Sequence, residues 1–227
     1  MKTLTTLIIL SLAFNCKAQF TGCAANNFSA APSSQFMLFT SSGNYQLDQF
    51  LSTEANVLRS FFSVNPSFFL YDDTGSPNAR AFPVAQLPQY PDGTVVLGKT
   101  YFNMMYNFAQ NVTVVPVTMA HEYGHIVDYK YHVIQANGMY AELFADFMAG
   151  AFLYYRSVLT PTDVYNNLNW FYSIGDYAGV NDPGHHGTPQ QRLAAAMAGY
   201  NWLKTNAYPG INVTQAIPAA KAFLGIP

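Results

Sequence analysis

Apolar residues recur at helical spacing along much of this chain and in short strand-like runs mainly in its first half. Asn44–Phe62 has apolar positions three and four residues apart, which predicts an amphipathic helix. Val117–Tyr131, directly after Pro116, and the nearly uncharged Met139–Val158 predict two longer helices. Further helices are predicted at Lys99–Asn107, Pro161–Leu168, Val213–Phe223 and from the capping box Thr188-Pro189-Gln190-Gln191 to about Lys204.

The strand-like runs indicate a small sheet. Ser67–Tyr71 and Thr94–Leu97 are apolar runs bounded by turn residues, and Gln35–Thr40 is a further candidate strand. Asn78–Pro88 contains two prolines and is predicted to be a loop. The fold class expected from this order is α+β, with a small N-terminal sheet and a mainly helical C-terminal half.

The first 18 residues have the pattern of a secretory signal peptide. Lys2 precedes the apolar stretch Leu4–Phe14, and the small residues Cys16 and Ala18 favour cleavage directly after Ala18. The apolar stretch is too short to cross roughly 30 Å of hydrocarbon as a helix, so cleavage is favoured over a membrane anchor. Processing as a lipoprotein at Cys16 or Cys23 is a weaker alternative. The protein is therefore predicted to be secreted or periplasmic.

Residues 19–227 are expected to form one globular domain. Half of the 227 residues are hydrophobic, and only 10% are charged. There is no basic patch, so nucleic acid is not an expected partner, and no later segment predicts a membrane span once the signal is cleaved. Only Cys23 remains after cleavage, which excludes an intrachain disulfide and a cysteine-rich metal site.

One segment, His121-Glu122-Tyr123-Gly124-His125, carries a pattern typical of zinc hydrolases. Histidines four residues apart share a helical face, so His121 and His125 can bind one zinc ion together. Glu122 can accept the proton of a water molecule that the ion activates. Gly124 costs about 1 kcal/mol in a helix relative to alanine, which predicts close packing of another element there. Two ordinary, partly buried histidines are the alternative interpretation.

A catalytic zinc ion usually needs a third protein ligand. Asp128 lies on the same helix, and His132 comes one residue too late for a motif with a third histidine, which excludes that arrangement. His185 and His186, interpreted as histidines of a polar loop, stay open as candidates. Glu142 is the strongest candidate, because an unpaired carboxylate would be unfavourable on the apolar face of the next helix.

Asp146 lies one helical turn beyond Glu142 on the same face. Histidines that bind metals commonly donate their second ring N–H to a carboxylate, and Asp146 is a candidate to orient His121 in this way. The alternative is that both carboxylates belong to a solvated face. The apolar residues around them favour the first interpretation.

The motifs together resemble those of gluzincins, in which HExxH is followed by ExxxD, and more closely those of a group of bacterial neutral zinc metallopeptidases. The matching segments are His121–His125, Glu142–Gly150 and His186–Arg192, within roughly residues 78–200. The resemblance implies a zincin-like fold, a Zn²⁺ cofactor, a peptide or protein substrate, Glu142 as the third ligand and Glu122 as the general base. The region of 78–82 and 94–98 also resembles the strands upstream of the zinc helix, where an exposed edge can hold an extended peptide. An ordinary core strand is the alternative.

Hydrolysis of a peptide bond also needs a hydrogen-bond donor for the oxyanion. His186 is the first candidate, since it precedes a predicted helix start and matches the family segment. Arg192, Tyr140 and Tyr172 are further candidates, and a structural role for His186 is the alternative. A module that binds zinc without catalysis, or an amide hydrolase acting on a cell-wall peptide or a non-protein amide, stays open as an alternative function.

Overall fold

The computed structural model describes residues 31–134, 138–156, 159–179, 182, 185–206 and 213–227. The predicted signal peptide, Cys23 and Val158 lie outside the described residues. Within those ranges a short 3-10 turn at Pro32–Ser34 is followed by four strands and seven α-helices. The predicted α+β class and its mainly helical second half are confirmed.

The elements follow the apolar pattern closely. The strands are β1 Leu38–Phe39, β2 Ser67–Tyr71, β3 Ala79–Phe82 and β4 Thr94–Gly98. The helices are α1 Tyr45–Phe62, α2 Lys99–Ala109, α3 Val114–Tyr131, α4 Gly138–Tyr155, α5 Pro161–Ser173, α6 Pro189–Asn206 and α7 Val213–Leu224. None of the described helices is long and apolar enough to span a membrane.

Four boundaries differ from the prediction. The segment 78–88 is not all loop, because Ala79–Phe82 pairs with β4 as an antiparallel strand. Helix α3 begins before Pro116, since the first turn of a helix has no intrahelical acceptor for its N–H groups and tolerates a proline. Helix α5 extends to Ser173, and the candidate strand at 35–40 contracts to the two residues of β1.

The four strands form one mixed sheet in the order β1-β2-β4-β3. The central strands β2 and β4 are parallel, and β1 and β3 run antiparallel to their neighbours at the two edges. Helix α3 packs against β3 and β4 and also contacts α1, α2, α4 and α5. The helix that carries the HExxH pattern therefore lies between the sheet and the C-terminal helices.

Helices α3 and α4 form the centre of the molecule. In α3 every residue from Val114 to Asp128 is buried, and in α4 every residue from Ala141 to Leu153 is buried. A helix that is covered on all sides shows little amphipathic periodicity, which fits the nearly uncharged sequence of α4. Polar residues on these two helices are therefore held away from water and must find partners within the protein.

Glycine residues let α4 approach its neighbours closely. A Cβ atom on Gly124 of α3 would lie 2.9 Å from Cα of Ala145, and a side chain on Gly150 would collide with the backbone of Ala196 on α6. Gly199 of α6 meets the backbone of Phe147 in the same way. The close packing predicted at Gly124 is confirmed, and its partner is α4.

Candidate metal centre

Helix α3 directs both histidines of the HExxH segment into the interior. His121 is 2% exposed and His125 is fully buried. The spacing of four residues places the rings one turn apart, and their Nε2 atoms lie 3.1 Å from each other. The local helix geometry alone accounts for this pairing.

Glu142 completes the group from α4. Its carboxylate oxygens lie 3.3 Å from Nε2 of His121 and 3.6 Å from Nε2 of His125. Glu142 is 1% exposed, and among the described residues these three side chains are the group that can hold a metal ion. Glu142, the third ligand predicted from the sequence, therefore lies beside the two histidines.

The separations between the ligand groups are close to those around a tetrahedral metal ion. Ligand atoms roughly 2.0–2.1 Å from such an ion lie about 3.3 Å from one another. The two Nε2 atoms lie 3.1 Å apart, Oε2 of Glu142 lies 3.3 Å from Nε2 of His121, and Oε1 lies 3.6 Å from Nε2 of His125. The ionised carboxylate and the two ring nitrogens lie in a space closed to water, where a cation between them would offset the buried negative charge. Two nitrogens and one oxygen are also a donor set typical of zinc.

Asp146 and Arg192 fix the orientation of His121 from the Nδ1 side of its ring. Nδ1 of His121 lies 2.8 Å from Oδ1 of Asp146, which leaves Nε2 facing the other two ligand atoms. Arg192 on α6 donates two hydrogen bonds to the same carboxylate, of 2.7 and 2.8 Å. Three helices thus contribute to the orientation of one imidazole ring.

Electrostatics keep the ligands in states suited to a metal. Burial lowers the pKa of His125 to about 3, so this ring is neutral near pH 7. Burial acts to raise the pKa of Glu142, but the hydrogen bond with His121 and the positive charges nearby hold it well below its usual range. For Asp146 too, burial is outweighed by Arg192 and His121, which lower its pKa. Both carboxylates are therefore ionised.

Glu122 is also in the interior, at 1% exposed. It follows His121 directly on α3, so its side chain leaves the helix about 100° around the axis from the first ligand. A carboxylate placed beside a metal ligand and shielded from bulk water is suited to accept a proton in the site.

His186 lies in the segment that leads into α6. It is 5% exposed, and its Nε2 atom has no hydrogen-bond partner among the described residues. Burial lowers its pKa, and Glu142 exerts the largest charge effect on it, which raises the pKa in the opposite direction. His186 is therefore within electrostatic range of the metal ligands, and its ring is neutral near pH 7.

Asp176 is a residue of this region that the sequence pattern did not identify. It accepts hydrogen bonds from Nδ1 of His185 at 2.6 Å and from the backbone N–H of His186 at 2.8 Å. Both histidines lie in a loop, as predicted, but they are buried and not exposed to solvent. Asp176 stands in a loop without periodicity, so no local sequence signal indicated its role.

The remaining candidates have other roles. Asp128 accepts the backbone N–H of Ile134 at 2.7 Å and so helps to end α3, where His132 has a left-handed backbone conformation with φ of 51°. Arg192, considered as an oxyanion donor, is bound to Asp146 instead. Tyr172 is 41% exposed.

No family model, curated protein or solved structure gives a significant match to this chain. The resemblance to gluzincins therefore remains a prediction from the motifs. What the described residues establish is a buried His-His-Glu group that can bind a metal ion.

Proposed function

We propose that this protein is a secreted zinc-dependent peptidase with a zincin-like fold of the gluzincin type. The observation that carries the proposal is the convergence of His121, His125 and Glu142 within 3.1–3.6 Å, with the buried Glu122 directly after His121 on α3. A site that only stabilised the fold would have no need of a buried carboxylate beside its ligands.

The residues can be given distinct roles in the hydrolysis of a peptide bond. A zinc ion bound by the three ligands would supply the polarisation of water and of the substrate carbonyl. Glu122 accepts a proton from the attacking water as its oxygen bonds to the carbonyl carbon. Glu122 then gives this proton to the amide nitrogen as the C–N bond breaks. The products are then a carboxylic acid and an amine, and transfer of the acid's remaining proton to the amine gives a carboxylate and an ammonium group.

His186 is proposed to donate a hydrogen bond to the oxygen that becomes negative during the reaction. Its buried Nε2 atom is available for a substrate, and Asp176 fixes the backbone that carries the ring. A donor that is held in place before the reaction stabilises developing charge without reorganisation. Loss of one such donor lowers kcat by about 10²–10³ in comparable sites.

Strand β3 is the proposed support for the substrate backbone. It is an edge strand of the sheet, it packs against α3, and Tyr129 of α3 donates a hydrogen bond to the carbonyl of Ala81 at 3.4 Å. An extended peptide can add to such an edge through main-chain hydrogen bonds. This mode of binding fits a peptidase with little selectivity for the side chains of its substrate.

The test is metal content combined with cleavage of a fluorogenic peptide library. The wild-type chain is expected to bind one zinc ion and to lose cleavage when a chelator is added. Glu122→Gln is expected to keep the metal and to lower kcat by about 10²–10⁴, the usual contribution of a general base. Glu54→Gln makes the same chemical change at a buried glutamate of α1 and serves as the matched control.

Each alternative has its own outcome. Cleavage that persists in Glu122→Gln would exclude the proposed mechanism. A wild-type chain that binds zinc and cleaves neither peptides nor amides would be a binding module. Cleavage confined to cell-wall peptides or non-protein amides would retain the chemistry and change the substrate class.

A further inference from the structure

The sheet has a second open edge, on the side opposite to β3. Strand β1 pairs with only two residues of β2, Leu70 and Tyr71. The chain then leaves the sheet, because Ser41 and Ser42 donate hydrogen bonds of 2.6 and 2.7 Å to the carboxylate of Asp48 on α1. The first part of β2 therefore has no strand partner on this side among the described residues.

The backbone of Phe68 faces this opening. Ser67 donates its N–H to the carbonyl of Gly93 on the β4 side, and successive residues of a strand direct their backbone groups to alternate sides. The N–H and C=O of Phe68 accordingly point away from β4. The next residue with this orientation, Leu70, is the one that pairs with Phe39 of β1.

A groove of about 410 Å³ lies along the opening, between β2 and α1. This volume falls within the range of roughly 300–1,000 Å³ typical of ligand sites. Leu51 and Ala55 of α1 contribute apolar surface, and Asn56, Gln89 and Tyr90 contribute polar groups. None of these residues belongs to the metal centre.

The two ends of the groove carry opposite charges. Arg59 lines one end, donates to the carbonyl of Pro66 at 3.1 Å and stacks on Tyr90 at 4.5 Å. No carboxylate of the described residues forms an ion pair with Arg59. Asp48 lines the other end, near the point where the chain leaves β1.

The positions of Asp48 and Arg59 determine the direction and length of a chain that could lie in the groove. A strand that continues the antiparallel pairing of β1 runs from Asp48 toward Arg59, so its C-terminal end reaches the guanidinium. The two charged residues are separated along α1 by about 16 Å, at 1.5 Å per helical residue. An extended chain covers this distance with about five residues at roughly 3.4 Å each.

We propose that this groove binds a short extended peptide, of about five residues, whose free C-terminal carboxylate contacts Arg59. The backbone of Phe68 supplies the strand pairing, and the guanidinium supplies a charge-assisted hydrogen bond that fixes the orientation. The site is separate from the metal centre, so it stands or falls independently of the proposed peptidase activity.

The test is calorimetric titration of the full chain with the pentapeptide Thr-Val-Thr-Val-Ala, both with a free carboxylate and as its C-terminal carboxamide. Zinc-loaded Glu122→Gln is the host, so that the probe is not consumed if the protein is a peptidase. The carboxylate form is expected to bind about tenfold tighter or more, the usual effect of a hydrogen bond to a charged group. Arg59→Gln is expected to abolish this difference, and Lys204→Gln, an exposed residue of α6, is the charge-matched control.

A second measurement requires no variant of the groove. N-methylation of the peptide at successive positions is expected to weaken binding most at the one residue whose N–H faces the carbonyl of Phe68, because neighbouring N–H groups point away from β2. Equal affinity of carboxylate and carboxamide, or absence of binding at millimolar peptide, would overturn the proposal. Dimerisation of the chain that Arg59→Gln abolishes would assign the groove to a second copy and would also overturn it.

Discussion

At the scale of single residues, the metal centre depends on charges that neutralise one another out of contact with water. Asp146 is fully buried and Arg192 is 2% exposed, and each is the other's main partner. Removing one partner of a buried ion pair typically lowers the free energy of unfolding by about 3–5 kcal/mol, because the remaining charge is neither paired nor solvated. The orientation of His121 is therefore secured by an interaction that cannot easily be replaced.

Removal of Glu142 and removal of Asp146 are expected to affect zinc binding to different extents. Glu142→Ala deletes a ligand, so the dissociation constant should rise well over 100-fold. Asp146→Ala keeps all three ligands but no longer fixes the ring of His121, which typically weakens zinc affinity about 10–100-fold. Competition with a chromophoric chelator measures both constants. Equal zinc affinity in wild type and Glu142→Ala would instead indicate that the third ligand is His185 or His186.

Asp128 is expected to make stability depend on pH. Burial raises its pKa to about 6, above the value near 3.9 of an unfolded aspartate. The folded state then binds the proton more tightly, so the free energy of unfolding falls as the pH rises from about 4 to 6. A shift of this size corresponds to about 3 kcal/mol.

Asp128→Asn tests this pH dependence because it removes the charge and keeps an acceptor for Ile134. The free energy of unfolding of the variant minus that of wild type should increase by about 3 kcal/mol between pH 4 and 7. Urea titrations of both metal-free proteins at each pH provide the measurement. A difference that stays constant with pH would contradict the raised pKa.

At the scale of elements, the site depends on how closely α3 and α4 approach. The histidine ligands are on α3 and the glutamate is on α4, so the separation of the two helices determines the distances between ligand atoms. Gly124 and Ala145 meet at the contact between these helices. The glycine in the HExxH segment thus serves helix packing and not local flexibility.

Gly124→Ala is expected to move α3 away from α4. The added Cβ atom would lie 2.9 Å from Cα of Ala145, and backbone cannot yield as a flexible side chain can. Overpacking of about 1–3 kcal/mol exceeds the gain of about 1 kcal/mol in helix propensity, so stability should fall. Zinc affinity should fall on the order of tenfold, by analogy with other disturbances around metal ligands.

Gly179→Ala is the control for this change, since no atom of the described residues lies within 4 Å of its added Cβ. Chelator competition and thermal unfolding of both variants give the comparison. Unchanged zinc affinity in Gly124→Ala would show that the helix separation does not determine the metal geometry.

At the scale of the whole molecule, a bound ion would link two buried helices and thereby couple metal binding to folding. The chain has no disulfide among the described residues, and the ligands converge only in the folded state. A ligand that binds the folded state at 100 times its dissociation constant stabilises it by about 2.7 kcal/mol. For a domain of this size that corresponds to an increase in Tm of about 5–10 °C.

Thermal unfolding with excess zinc and with excess chelator measures this coupling. The increase in Tm should be large in wild type and much smaller in Glu142→Ala, which lacks one ligand. An equal increase in both proteins would mean that the stabilising ion binds elsewhere.

The sequence by itself determined most elements and half of the site. Helix α1 begins after its cap, Asn44, as the apolar pattern predicted, because capping and helical periodicity act within a few residues of chain. The pairing of His121 with His125 follows from the same local geometry. The segment Ala79–Phe82 was predicted as loop from its composition and as strand only from the family resemblance, and its hydrogen bonds come from β4.

Only the tertiary structure decided which partners these elements meet. Glu142 was selected as one of several candidate ligands, and its position at the two histidines depends on the packing of α4 against α3. The bond from Arg192 to Asp146 spans 46 residues, and the role of Asp176 depends on a loop folding back on itself. Local backbone geometry cannot specify such contacts, because they depend on the relative positions of several packed elements at once.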